Sequence, residues 1–367
     1  MKVLVIWRLL TVGGVNAGWR NRAVYFKQYG IDTEFLYTKD LGGLHIMKDI
    51  SKVYLTKNKE EIVQIIKHNH YDAIIVVDTK DAYQWIKEAD FKGPVIVEAC
   101  TPEIIKLKPH LENFCGIKPE VIIVPSQHQK RLVSILIDHI PIEVIHNGIH
   151  TSFFEPINVS NDSEPILPAN KKIIGWIGRV DKRKNWRLLL RIAQLIKNDR
   201  NDVQFWLIGG AKSVQREKFI AEWKAQNLTD IITWYPVIPY QNMPYIYSKI
   251  RLSGGCTLAT TKGESFGNTF IESMACGVPV VAPNISSIPE IVQHESNGLM
   301  YMENQEKDAV KAIYQILDEP THYHSMSEAA RENVLNHFSI STCADQYIHL
   351  LTTVINGGFK NAYTRRI

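Results

Sequence analysis

Residues 263–282 read GESFGNTFIESMACGVPVVA, and this stretch decides the fold of the second half of the chain. Asn268 or Thr269 can cap a helix, and Gly277 ends it. The apolar residues Val278–Ala282 then predict a short buried strand. A loop, a helix and a strand in this order are the repeating unit of an α/β domain.

Two carboxylates accompany the predicted helix start. Glu264 precedes the cap, whereas Glu272 lies about one turn inside the helix, where side chains lean back toward the N-terminus. Both are therefore expected to face the space outside the helix start. The backbone amides that have no partner within a helix point into the same space, and they belong to Phe266, Gly267, Asn268 and Thr269. A diphosphate would bind there, with sugar hydroxyls on the carboxylates. The alternative is that Glu272 only complements the helix dipole and Glu264 is a solvated loop charge.

These residues resemble the signature of a known family. Glu264 and Glu272 enclose seven residues, Ser-Phe-Gly lies between them, and Ala-Cys-Gly-Val-Pro-Val-Val-Ala follows. The pattern is similar to the E-x7-E signature of retaining GT-B glycosyltransferases, glycosyltransferase family 4 of the group 1 type. The resemblance implies two Rossmann-like, doubly wound α/β domains that face each other across a cleft. It also implies that Glu264 binds the sugar hydroxyls and that Glu272 binds the ribose of a nucleotide sugar.

A basic turn follows the first strand of the second α/β series. Arg179 and Lys184 lie five residues apart after Ile173–Ile177, and this spacing resembles the Gly-Arg and Lys pair of the family. Breaking a sugar–phosphate bond leaves a nucleoside diphosphate, whose growing negative charge must be stabilised. The two cations are therefore catalytic candidates. The alternative is a solvated basic turn, in which Arg183 is expected to be exposed with its neighbours.

The N-terminus predicts the first unit of a doubly wound sheet. The apolar strand Val3–Trp7 leads into a loop that contains Gly13 and Gly14, and a helix is predicted from about Trp19 to Gln28. The full dinucleotide fingerprint is missing, so NAD binding is not favoured. In the resembled family a Gly-Gly loop at this place approaches the donor diphosphate. A tight turn without a ligand is the alternative.

Length and pattern predict two domains. The 367 residues suit two α/β domains of ordinary size. We expect an N-terminal, acceptor-side domain over residues 1–155, a polar linker over 156–170 and a C-terminal nucleotide-sugar-binding domain over 171–339. The resemblance implies that a last helix, about residues 340–367, packs back onto the first domain.

Composition excludes several classes of protein. The formal net charge is only +4, and the basic residues form no run, so no nucleic acid partner is expected. The five cysteines include no Cys-x-x-Cys pair, which predicts reduced thiols rather than disulfides or structural zinc. No signal peptide or long apolar run is apparent, so we expect a cytoplasmic protein with at most peripheral membrane contact.

One departure from the family concerns the strand expected at Pro94–Val97. Many relatives place a histidine just after this strand, but here the sequence continues Glu98-Ala99-Cys100-Thr101-Pro102-Glu103. Glu98, Thr101 or Glu103 can face the sugar instead, or each can cap the next helix. The histidines of the first domain, His110 among them, are interpreted as surface residues.

The leading hypothesis is a retaining transferase that moves a hexose from a UDP- or GDP-sugar to a sugar, lipid-linked or small-molecule acceptor. The implied mechanism is front-side attack, and we expect no cofactor and no metal site because Arg179, Lys184 and the helix N-terminus supply the positive charge. A nucleotide-sugar epimerase of the same fold and a non-catalytic nucleotide-sugar-binding subunit remain alternatives.

Overall fold

The computed structural model describes residues 1–11, 13–159, 165–210 and 213–357, and they form two compact units. One unit comprises Met1–Ile149 together with the segment that begins at Phe338, and the other comprises His150–His337. The main sheet of each unit is parallel, which confirms the α/β class predicted from the sequence. Parts of the predicted linker and of the predicted last helix, residues 160–164 and 358–367, lie outside the described residues.

The first unit is built on a seven-stranded parallel sheet. Its strands and helices are β1 (Lys2–Trp7), β2 (Leu9–Thr11), α1 (Gly14–Gln28), β3 (Asp32–Tyr37), β4 (Lys39–Leu41), α2 (Leu44–Met47), β5 (Val53–Leu55), α3 (Lys59–His68), β6 (Ala73–Val77), α4 (Ala82–Glu88), β7 (Val95–Glu98), α5 (Ile104–Leu111), β8 (Val121–Val124), α6 (Gln127–Leu136) and β9 (Ile142–Val144). The strand order is β5-β3-β1-β6-β7-β8-β9, so the order reverses between β1 and β6. In such sheets ligands bind beyond the carboxyl ends of the strands near the reversal.

The second unit repeats this plan with six parallel strands. Its elements are β10 (Lys172–Ile177), α7 (Trp186–Asp199), β11 (Val203–Ile208), α8 (Val214–Ala225), β12 (Ile232–Tyr235), α9 (Met243–Leu252), β13 (Cys256–Leu258), α10 (Asn268–Ala275), β14 (Val280–Pro283), β15 (Gly298–Tyr301), α11 (Glu306–Asp318) and α12 (Pro320–His337). The strand order is β12-β11-β10-β13-β14-β15. The central strands are buried on both faces, which explains their continuous apolar sequences.

The last helix, α13 (Ile340–Ile355), belongs to the first unit and packs on α1. The Tyr347 ring meets the Trp19 ring edge to face at 5.6 Å, and both side chains are buried. The Tyr25 hydroxyl donates to Asp345 Oδ1 at 3.0 Å. The C-terminal helix thus completes a core whose other residues come from the N-terminal half of the chain.

The predicted starts of α1 and β14 are wrong. Helix α1 begins at Gly14, with Gly13 as its extended N-cap residue, and not near Trp19. Strand β14 begins at Val280 rather than Val278, because residues 277 and 278 close the preceding helix. Gly277 has φ +70°, and the Val278 amide donates to the Ser273 carbonyl at 3.0 Å.

In the ranges given above, none of the helices has both the length and the apolar character that crossing a membrane requires.

Candidate active site

Helix α10 begins on a backbone turn that only glycine accommodates. Gly267 is the N-cap residue with φ +123°, and a Cβ there would come within 2.5 Å of the Phe270 ring. No side chain caps the helix, so the expectation that Asn268 or Thr269 is the cap is wrong: Asn268 is the first helical residue and Thr269 the second. The glycine turn itself sets the direction in which the helix starts.

A buried serine forms hydrogen bonds with the backbone of the loop before α10. Ser287 Oγ lies 3.1 Å from the carbonyl oxygen of Glu264 and 2.9 Å from that of Phe266. Ser287 is fully buried, and the Phe266 side chain is buried as well. The backbone from Glu264 to Phe266 is therefore fixed, so the Glu264 side chain starts from a defined position.

Glu264 is a buried carboxylate that two cations neutralise. Lys184 Nζ lies 2.6 Å from its Oε1, and Arg183 Nη1 lies 3.1 Å from its Oε2. Burial opposes the charge, but Lys184 and Arg183 outweigh it and hold the pKa of this carboxyl below its ordinary value. Glu264 is thus ionised throughout the physiological pH range and is not the solvated loop charge of the alternative interpretation.

The basic turn after β10 separates into residues with different partners. Lys184 reaches Glu264, whereas Arg179 Nη2 pairs with Asp181 Oδ2 at 3.0 Å and its side chain is 59% exposed. Asp181 also accepts the Lys184 amide at 2.8 Å, so it shapes the turn. The structure brings Lys184 to Glu264 and leaves Arg179 on the surface of the turn.

Glu272 lies in the opposite kind of environment. It is buried within α10, and its Oε2 accepts a hydrogen bond from the Tyr247 hydroxyl at 3.1 Å. Burial raises the pKa of Glu272 to about 7, and the hydrogen bond from Tyr247 offsets this only in part. Glu272 therefore titrates near neutral pH, which no first-turn acid exposed to water does.

A small cavity of about 20 Å³ lies beside Lys184 and the start of α10. It holds about one water molecule and lies between β10, β13 and the start of α10. Its lining comprises Trp176, Ile177, Lys184, Thr257, Leu258, Ala259, Thr260, Thr261, Thr269 and Phe270. Lys184 and Thr269, which are far apart in sequence, thus line one space at the carboxyl ends of the strands.

In the first unit, Gly13 and Gly14 stand at the N-terminus of α1. The Gly13 carbonyl accepts the Ala17 amide at 3.0 Å, and the fifteen-residue helix that follows presents its positive end at this point. These two glycines belong to a different compact unit from Lys184 and Glu264.

The residues at the end of β7 and just after it, where many relatives have a histidine, form contacts within the first unit. Glu98 is buried and accepts from Trp19 Nε1 at 2.9 Å and from Arg22 Nη1 at 3.1 Å. The Thr101 hydroxyl donates to Asp78 Oδ2 at 2.7 Å. Glu103 pairs with Lys106 at the surface. Glu98 therefore joins β7 to α1 in the core.

Sequence reasoning missed three contributors to this site. Arg183 is expected to be exposed, but its side chain is only 22% exposed and pairs with Glu264. Tyr247 and Ser287 are separated from their partners by more than twenty residues, and no local pattern marks them. The only available signal was the position of Arg183 beside Lys184.

Part of this chain is similar to known glycosyltransferases. Residues 160–333 match the model of the family described as Glycosyl transferases group 1. A D-inositol 3-phosphate glycosyltransferase of Thermobispora bispora is 25% identical over 197 residues, which make up 52% of this chain and 45% of the relative. An uncharacterized 41.2 kDa protein in the cps region of Klebsiella pneumoniae is 24% identical over 79% of this chain and 81% of the relative. This chain spans about half the length of the D-inositol 3-phosphate glycosyltransferases it matches.

The fold is shared with solved glycosyltransferase structures. The crystal structure of Anabaena HepE in complex with UDP and glucose superposes with a TM-score of 0.83 at 17% identity, over 96% of this chain and all of the other. The similarity confirms the fold expected from residues 263–282. Residues 160–333 are thus similar to the glycosyl transferases group 1 family, and the chain has the GT-B fold.

Proposed function

We propose that this protein is a retaining glycosyltransferase that moves a hexose from a nucleotide-diphosphate sugar to an acceptor hydroxyl. The observation that carries the proposal is the convergence of Lys184 and Arg183 on the buried Glu264, four residues before the start of α10. A buried carboxylate held between cations beside a helix N-terminus suits a ligand that joins hydroxyls to a diphosphate.

The donor diphosphate binds at the positive end of α10. The backbone of Phe266, Gly267, Asn268 and Thr269 forms the helix start, and Arg179 and Lys184 supply the side-chain cations. Arg179 is exposed and its guanidinium fork can grip two phosphate oxygens, whereas Lys184 provides a compact charge. Gly13 and Gly14, at the N-terminus of α1, are assigned to the same diphosphate.

The two glutamates bind the two ends of the donor. Glu264 accepts hydrogen bonds from the sugar hydroxyls through the carboxylate lone pairs that Lys184 and Arg183 leave available. The carboxylate of Glu272 accepts hydrogen bonds from the ribose hydroxyls. UDP-sugars are the first donors to test, because Anabaena HepE was solved with UDP and glucose, and GDP-sugars are the second.

The chemistry requires charge stabilisation more than proton transfer by the protein. The bond between the anomeric carbon and the phosphate oxygen breaks, and the acceptor oxygen attacks from the same face. Because the attack comes from the same face, the configuration of the anomeric carbon is retained. The acceptor proton passes to the leaving phosphate, so no protein base is needed. Arg179 and Lys184 stabilise the leaving diphosphate, and no metal step is needed in this scheme.

The acceptor is a sugar, a lipid-linked sugar or a small molecule, and the product belongs to a cell-surface glycan, a glycolipid or a glycoside. A cytoplasmic location is part of the proposal and agrees with the five cysteines, none of which is in a disulfide. Any membrane contact is peripheral in this proposal.

The test is incubation with labelled UDP- and GDP-hexoses, first without and then with candidate acceptors. Sugar release to water or transfer with retained anomeric configuration, read by NMR, is the expected result. Conversion to a different hexose would show an epimerase, and binding without turnover would show a non-catalytic subunit. Lys184→Ala should abolish most turnover, and Lys182→Ala, an exposed neighbour, serves as the matched control.

A further inference from the structure

Arg183 makes two bonds to the loop that carries Glu264. Its Nη1 donates to the Gly263 carbonyl at 3.0 Å and to Glu264 Oε2 at 3.1 Å. The Arg183 carbonyl in turn accepts the Lys262 amide at 2.8 Å. The backbone and the side chain of one residue therefore fasten the turn after β10 to the loop before α10.

We propose that Arg183 is a positioning residue that holds Glu264 in the orientation required to bind the transferred sugar. The inference rests on the proposed function and assigns a role to a residue outside the Arg179 and Lys184 pair. Arg183 acts through Glu264 and is not itself a catalytic residue.

The contacts of Glu264 show why one cation is not sufficient. Lys184 holds Oε1 and Arg183 holds Oε2, so each oxygen has a separate anchor. With Lys184 alone, the carboxylate would rotate about its remaining contact and its second oxygen would point in a new direction. The bond from Ser287 to Glu264 goes to its backbone carbonyl, so Ser287 does not orient the carboxylate.

The charge balance supports the same role. The charged and polar groups that face Glu264 are Lys184 and Arg183 from the turn after β10 and the Thr261 hydroxyl from its own loop. Both cations keep the pKa of Glu264 below its ordinary value. Removal of Arg183 would leave a buried carboxylate with one cation, and its pKa would rise.

A guanidinium fits this position better than an ammonium does. Arg183 donates from one terminal nitrogen, Nη1, to a backbone carbonyl and to a carboxylate, and its guanidinium is planar, whereas the ammonium of lysine is a point charge on a flexible chain. A lysine at position 183 would restore the charge but not both directed bonds.

The experiment compares Arg183→Ala, Arg183→Lys and Lys182→Ala with the wild type in a transfer or sugar-release assay across pH. We expect Arg183→Ala to lower kcat by about tenfold or more, and the acidic limb of its kcat profile should move to higher pH. Arg183→Lys should restore the position of the acidic limb more than it restores kcat. Lys182→Ala should match the wild type in both readouts, since Lys182 is exposed.

Two outcomes separate the inference from the proposed function. A wild-type protein that neither transfers nor releases sugar would overturn the proposed function and this inference with it. A wild type that is active, with Arg183→Ala equal to Lys182→Ala in kcat and in the acidic limb, would overturn the inference alone. Thermal unfolding of each variant identifies a folding defect, and Arg183→Gln, which keeps a polar side chain with an N–H donor but is shorter and uncharged, replaces Arg183→Ala if that variant is unfolded.

Discussion

Glu264 and Glu272 are the same residue type in opposite electrostatic surroundings. Two cations face Glu264, whereas the polar contact of Glu272 is the Tyr247 hydroxyl. The pKa of Glu264 is lowered, and burial raises the pKa of Glu272 to about 7. Of the two, the carboxylate assigned to the sugar is charged at physiological pH, and the one assigned to the ribose becomes charged only as the pH rises through about 7.

The surroundings of Glu272 predict a pH-dependent cost in stability. Its pKa rises from 4.5 in the unfolded chain to about 7 in the folded state, so the folded protein keeps a proton that the unfolded chain has released. Stability therefore falls as the pH rises between these values, by roughly 3 kcal/mol at most above pH 7. Glu272→Gln removes this cost while keeping an acceptor for Tyr247, so it should melt higher than the wild type at pH 8.

The difference in melting temperature should shrink toward zero below pH 4.5, because Glu272 of the wild type is then largely protonated in both the folded and the unfolded state. Thermal unfolding at several pH values measures it, with the exposed Glu295→Gln as the control. A gain in stability that is equal at pH 5 and pH 8 would contradict the linkage. The same variant should bind UDP less tightly than the wild type at pH 8, because it has lost a carboxylate assigned to the ribose.

Substitution of Lys184 is expected to lower kcat more than the stability of the fold. Its ammonium anchors Glu264, and the residue lines the cavity at the start of α10. In the proposed mechanism it stabilises the charge that develops on the leaving diphosphate. Lys184→Ala should lower kcat by about 10²-fold or more, as the removal of one preorganised charge donor does elsewhere. Steady-state kinetics with saturating donor measures the loss. An effect confined to the donor KM would show that Lys184 binds the ground state and the transition state equally.

At the scale of elements, the sequence predicts the existence of α10 but not its first turn. The apolar pattern and Gly277 specify a helix of about this length, which is why its end is found correctly. The start was assigned to Asn268 or Thr269 because these residues often cap helices. The true N-cap is Gly267, since its φ of +123° and its contact with Phe270 come from tertiary packing that propensities do not encode.

The same limit applies to the partners of the site. The strands, both glutamates and the basic turn are local patterns, so they could be predicted from the sequence. The bonds of Tyr247 to Glu272 and of Ser287 to Glu264 join residues 25 and 23 positions apart. Arg183 resembles its exposed neighbour Lys182 in sequence, and only the approach of the Glu264 loop distinguishes the two.

The glycine turn before α10 gives a prediction about this element. Gly267→Ala forces an alanine to φ +123° and brings its Cβ to 2.5 Å from the Phe270 ring. We expect a loss of about 2 kcal/mol or more and a weaker helix start for the donor. Gly254→Ala is the matched control, because Gly254 also has positive φ, +69°, but a Cβ there meets nothing within 4 Å.

Urea unfolding measures the loss of stability in Gly267→Ala, and the donor KM measures the weaker binding of the donor at the helix start. The control should lose about 1 kcal/mol through backbone strain alone and keep its KM. Equal losses in the two variants would show that contact with Phe270 does not define the turn.

At the scale of the whole molecule, the end of the chain stabilises its beginning. Tyr347 of α13 is buried against Trp19 and Phe26 of α1 and lies 5.1 Å from the Arg22 guanidinium. Tyr347→Ala should therefore cost about 3–5 kcal/mol, the usual range for a large aromatic residue removed from a core. Chemical denaturation measures the loss, with the exposed His349→Ala of the same helix as the control. A change below about 1 kcal/mol would show that α13 contributes little to this unit.

Ligand binding to the intact protein tests whether the charge for the diphosphate comes from the chain itself. In the proposed site Arg179, Lys184 and the N-terminus of α10 provide it, and Arg183 keeps Glu264 neutralised. UDP at about 100 times its dissociation constant should then stabilise the protein by roughly 2.7 kcal/mol, and it should do so equally in the presence of EDTA. Lys184→Ala should lose most of this shift, whereas Lys182→Ala should keep it. A shift that disappears in EDTA and returns with magnesium or manganese would mean that a cation bridges the diphosphate, and the roles assigned to Arg179 and Lys184 would then be wrong.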